Sequence, residues 1–143
     1  MIASMLRTLI IAAGLALVAS VAHADPCKAI PDVGPTPAAA RPGKIITGPV
    51  VYVADGDGIC VAIGQGPQNW VEIRIADFYA PELREPGGEQ AKAAMERIAM
   101  GRTVRCVTGR RSYDRVVATC TLNGVSVGSL MRRAGIREGG RGR

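Results

Sequence analysis

The sequence predicts a β-rich α+β domain, and three observations carry that expectation. Short apolar runs end at turn signatures, Asp55-Gly56-Asp57-Gly58 early and Asn123-Gly124 late. One segment between those turns has helical apolar spacing, and another follows the last turn. The order of three strands, a helix, two strands and a helix suits a five-stranded barrel of the OB type with two or more packed helices.

Residues 1–24 read as a signal peptide. Arg7 supplies a positive start, residues 9–21 are apolar and uncharged, and Ala22-His23-Ala24 gives a small-x-small cleavage pattern with Asp25 as the expected mature start. The apolar run is shorter than the roughly 18 residues that a membrane span takes. Ala24-Asp25-Pro26 is not a lipidation box before Cys27, so no stable membrane anchor is expected after cleavage. Residues 25–44 form a Pro/Ala-rich arm, loosely structured by composition, and the domain is expected over residues 45–136.

Within the domain, residues 49–54 are a strand that stops at the Asp-Gly-Asp turn. Residues 59–63 resume a strand, 64–69 turn, and Val71-Glu72-Ile73-Arg74-Ile75-Ala76 alternates apolar with polar as a half-buried strand does. After Pro86-Gly87-Gly88, residues 89–100 form the clearest helix, with Ala91, Ala94, Met95, Ile98 and Ala99 on one face and Gly101 ending it. Strands over 103–107 and 115–122 flank a basic loop, residues 109–114. Val127, Leu130, Met131 and Ala134 then keep helical spacing to Gly135. Residues 137–143 are read as a basic, disordered tail.

The net charge is +6, of which Arg7 contributes one, and the pI is about 9.6. That balance favours polyanions such as DNA or RNA through long-range attraction and counterion release. The one histidine, His23, falls in the leader, which excludes histidine triads and histidine metal sites from the mature chain. Of the three pairings open to four cysteines, Cys106–Cys120 with Cys27–Cys60 is favoured. The first two sit on apolar segments joined by a short polar loop, and the second bridge pins the arm to the barrel. No Cys-x-x-Cys is present, which argues against zinc or thioredoxin chemistry. No obligate protein partner is evident.

Charge gathers where strands end: Asp55/Asp57, Arg74, Glu82 and Tyr113/Arg115. Singly these are a hairpin turn, a solvent-facing arginine, a turn cap and a loop. Together they form a pattern: Asp55-Gly56-Asp57 after the first strand, Arg74 seven residues before Pro81-Glu82, and Tyr113-Asp114-Arg115 opening a later strand. With the helix between and Gly128-Ser129-Leu130-Met131-Arg132-Arg133-Ala134-Gly135 after, the chain from 50 to 136 resembles the staphylococcal-nuclease-like (thermonuclease) family.

The resemblance implies a sugar-nonspecific nuclease that hydrolyses phosphodiesters of DNA and RNA with Ca²⁺, and the leader makes it an exported one, periplasmic or secreted. Arg74 and Arg115 match guanidiniums that fork onto the non-bridging oxygens, where charge grows in the transition state. Glu82 matches the carboxylate that activates water, and Tyr113 a phosphate-contacting hydroxyl. Asp57 matches a carboxylate ligand of the metal and Ala80 a backbone-carbonyl ligand.

The departure is Tyr79, where the family places a second carboxylate. A phenol with a pKa near 10 is a poor Ca²⁺ ligand. Asp77 is a substitute ligand to test, although two residues of strand put it ~6–7 Å away. Gly58, where the family often has threonine, is a milder departure. The alternative function is an OB-fold nucleic-acid-binding module with impaired catalysis. Aromatic content is only 3%, which favours backbone contact over base readout.

Overall fold

The computed structural model describes residues 25–139. The expected signal peptide and residues 140–143 of the expected tail lie outside the described residues. The strands are β1 (Ile45–Val53), β2 (Gly58–Ala62), β3 (Trp70–Ile75), β4 (Thr103–Ser112), β5 (Arg115–Leu122) and β6 (Val125–Ser126); the α-helices are α1 (Gly88–Ala99) and α2 (Val127–Arg133). The sheet order is β3-β2-β1-β4-β5-β6, and β3 also pairs with β5. That last pairing is parallel, with Ile73 opposite Val116 and Ile75 opposite Ala118. It closes β1 to β5 into a mixed five-stranded barrel of the OB type, and β6 is an additional short edge.

Alternation decides which side chains enter the barrel. Val71, Ile73 and Ile75 of β3 are buried, as are Val116, Ala118, Cys120 and Leu122 of β5. They meet Ile46, Val50, Val53, Ile59, Val61 and Phe78 in one apolar core, which α1 caps through Ala91, Ala94, Met95 and Ala99. α2 adds Val127 and Met131 and starts at Ser126, whose hydroxyl accepts the Ser129 amide at 3.0 Å.

Three segments differ from the sequence expectation. The basic loop expected over 109–114 is mostly strand: β4 runs to Ser112, and only Tyr113 and Asp114 make the turn, with Ser112 opposite Arg115. A register irregularity between Thr108 and Arg111 absorbs the extra length. The arm at 25–44 is tied down rather than loose. Ile30 and Ala40 are buried, Ala38–Ala40 is a 3-10 turn, and the Arg111 guanidinium donates to the Pro31, Gly34 and Tyr113 carbonyls. The tail begins ordered: the Gly139 amide donates to the Tyr79 carbonyl at 2.9 Å, and Glu138 accepts the Tyr79 amide at 3.1 Å. Composition could not foresee these tethers, because each depends on a partner distant in sequence.

Both disulfides take the favoured pairing, Cys27–Cys60 and Cys106–Cys120, with no free cysteine among the described residues. They imply folding in an oxidising compartment. Loops of 33 and 14 residues correspond to about 3–4 kcal/mol each by the chain-entropy relation. Among the described residues, no helix is long and apolar enough to cross a membrane.

Two glycines set the approach of α1 to the strands. A Cβ on Gly56 would lie 2.5 Å from the Cβ atoms of both Ala80 and Ala91, and one on Gly88 would lie 2.0 Å from the Glu82 carbonyl oxygen. Gly56→Ala is therefore expected to lower stability by about 1–3 kcal/mol through overpacking. Thermal melting checks this, and an unchanged Tm would refute the close packing of that turn on α1.

Candidate nucleic-acid site

The site is built around the turn after β1. The Asp57 amide donates to Asp55 Oδ1 at 3.0 Å, and its carbonyl accepts the Ile75 amide at 2.8 Å at the end of β3. Its carboxylate Oδ2 accepts the Ala80 amide at 3.0 Å. Asp57 thus joins the turn, the end of β3 and the Ala80-Pro81-Glu82 segment. It is 7% exposed, and burial together with the charge of Asp55 raises its carboxyl to about 7, against the lowering effects of the Ala80 amide and Arg74.

Arg74 lies opposite Gly58 of β2 on one side and Val117 of β5 on the other. With Val71, Ile73 and Ile75 turned inward, Trp70, Glu72 and Arg74 take the outer face of β3. Arg115 precedes the inward Val116 and takes the outer face of β5. The parallel pairing therefore sets Arg74 and Arg115 on one face, one strand apart and two residues out of step, ~8 Å between Cα atoms. Among the described residues both ion pairs belong to Arg132, so neither Arg74 nor Arg115 closes one. Tyr113, at φ 59° in the two-residue turn, is 84% exposed beside them.

Glu82 is exposed. Its amide donates to the Glu85 carboxylate at 3.2 Å and its carbonyl accepts the Glu85 amide at 2.8 Å. These bonds fix the backbone and leave its own carboxylate outside them. A cleft of about 630 Å³ lies along the same loop, lined by Pro81, Gly87, Gln90, Ile136 and Arg137 among others. None of Asp57, Arg74 or Arg115 lines it, so it is separate from the arginine face.

The structure draws Asp77 into a different task. Its Oδ2 accepts the Ser126 hydroxyl and lies 4.0 Å from the Arg132 guanidinium, and its carbonyl accepts from Arg132 at 2.8 Å. Gly128 packs against it so closely that a Cβ there would lie 2.7 Å from Asp77 Cγ. Asp77 anchors the start of α2 through Oδ2, while its Oδ1 is buried with no hydrogen-bond partner among the described residues. The neighbour that Asp57 does have is Asp55, close enough to hydrogen-bond its carboxyl. Two adjacent carboxylates, one nearly buried, are oxygen donors of the hard kind. Tyr79 is held through its main chain, its amide and carbonyl both bonded to residues 138 and 139.

Sequence reasoning missed Glu72. Alternation placed it on the polar face of β3, yet it is 7% exposed because the arm and the 113–114 turn cover that face. The covering arm is fixed by the Lys28 and Ala29 amides, bonded to the Pro67 and Trp70 carbonyls at 2.9 and 3.1 Å. Burial first, then Asp25 and Asp114, raise its carboxyl to about 7, and Arg115 opposes the shift. The only local signal was a glutamate opposite a disulfide-forming cysteine, Cys60.

The raised carboxyl of Asp57 makes a pH prediction. Between about 4 and about 7 the unfolded chain gives up this proton before the folded chain does, so the folded state loses stability as pH rises through that window. An amide in place of this carboxyl keeps an acceptor for the Ala80 N–H without the charge. In metal-free protein, Asp57→Asn is expected to raise Tm at pH 8 and to change it little at pH 4; an equal shift at both pH values would contradict the assignment. No family model and no curated protein matches the chain.

Proposed function

We propose that this protein is an exported nuclease, periplasmic or secreted, that hydrolyses phosphodiester bonds of DNA and RNA. The observation that carries the reading is the β3–β5 pairing, which puts two arginines without an ion pair on one face beside the buried Asp57. The motif resemblance to the thermonuclease family supports the same reading, as does the net charge of +6.

The mechanism follows from the residue chemistry. Arg74 and Arg115 donate forked N–H bonds to the non-bridging phosphate oxygens and strengthen their hold as charge accumulates there. Tyr113, exposed at the turn, donates its hydroxyl to a phosphate of the strand. Glu82 accepts the proton of the attacking water, so that the new P–O bond forms as the P–O bond to the leaving sugar oxygen breaks. The Ala80 amide bond to Asp57 ties to the turn the segment that continues through Pro81 to Glu82. Asp55 and Asp57, with the Ala80 carbonyl, would hold Ca²⁺, which would supply positive charge against the phosphate.

The second reading is a nucleic-acid-binding module without turnover. Tyr79 in place of a carboxylate and the commitment of Asp77 to α2 are the observations that favour it.

Digestion of single-stranded DNA at millimolar Ca²⁺ separates the two. The nuclease reading expects cleavage that a chelator abolishes and that Arg115→Ala lowers by about 10²–10³-fold, with Arg115→Lys restoring little of it. Salt-sensitive binding without any cleavage between neutral and alkaline pH would overturn it in favour of the binding module. Tyr79→Asp is expected to raise Ca²⁺-dependent cleavage. No gain, with wild-type cleavage intact, would show that Asp55 already completes the ligand set.

A further inference from the structure

Glu72 is buried on the outer face of β3, yet no hydrogen bond or ion pair among the described residues satisfies its carboxylate. One carboxylate oxygen from each of Asp25, Glu72 and Asp114 lies within 4.8 Å of the other two. The three residues come from separate parts of the chain. Asp25 belongs to the arm that Cys27–Cys60 fixes against β2, and Asp114 to the two-residue turn between β4 and β5. Asp25 is oriented by its Oδ1, which accepts the Cys27 amide at 2.9 Å and leaves Oδ2 for another partner. A nearly buried carboxylate aimed at two others either keeps its proton to higher pH or is compensated by a cation. Asp25, Asp114 and Asp55 act against the charge of Glu72, and Arg115 acts for it.

We propose that Asp25, Glu72 and Asp114 form a divalent-cation site separate from the Asp55–Asp57 pair. All three donors are carboxylate oxygens, and the two nearby sulfurs, Cys27 and Cys60, are tied in a disulfide. An all-oxygen set selects a hard cation, Ca²⁺, over the softer transition metals. The bound ion ties the arm to the turn that carries Tyr113 and leads into Arg115. It also cancels negative charge that otherwise repels a polyanion from that face.

Terbium, a luminescent stand-in for Ca²⁺, tests this directly, because Trp70 lies on the same face of β3 as Glu72 and Tyr113 adjoins Asp114. Wild-type protein is expected to sensitise terbium emission, and Ca²⁺ to compete at ~10⁻⁴–10⁻³ M, the range of extracellular modules. Glu72→Gln, nearly isosteric, and Asp114→Asn, in the two-residue turn, should each weaken that competition at least tenfold and shrink the Ca²⁺-dependent rise in Tm. Asp57→Asn should leave both readouts in place, whether or not the protein cleaves DNA. The proposal is overturned if wild type shows neither readout, if both carboxylate variants bind as wild type does, or if Asp57→Asn alone abolishes them.

Discussion

The parallel pairing of β3 with β5 is the constraint on which the rest of the molecule depends. Without it the sheet is an open meander whose apolar faces lack cover, and edge groups of β3 and β5 remain unpaired. With it the inward side chains of five strands fill one core. The same pairing sets the outer face, because alternation along each strand leaves no freedom about which side chains point away from that core. Arg74 and Arg115 are neighbours for the same reason that Ile73 and Val116 are.

Asp57 acts as a second, smaller organiser. Its backbone and carboxylate together hold the turn after β1, the end of β3 and the segment that leads to Glu82. A buried carboxylate with raised pKa is an expensive way to make such a joint if structure is all it does. Its position beside Asp55 and Arg74 accounts for the cost if the group also handles charge, since strained electrostatics gather at functional sites.

What was legible in the sequence was what local chemistry dictates. The spacing of Ala91, Ala94 and Met95 gave α1 within one residue at each end, and two apolar segments about a short polar link gave Cys106–Cys120. The Asp-Gly-Asp turn was likewise readable, as was the inward face of β3. What escaped was set by partners far along the chain. Glu72 reads as a solvent-facing strand residue until the arm folds over it. Asp77 reads as a spare carboxylate until α2 claims one of its oxygens through Ser126 and its carbonyl through Arg132. The basic loop reads as irregular until a ladder with β5 extends β4 through it.

Position 79 is secured by its amide and carbonyl rather than by its side chain, so the backbone hold does not depend on which residue stands there. Tyrosine and aspartate codons differ by one base. A single-nucleotide substitution could therefore exchange a phenol for a carboxylate here without dismantling the surrounding main chain. Chemistry at position 79 is open to selection on a short mutational path, in either direction, while the barrel that supports it stays the same.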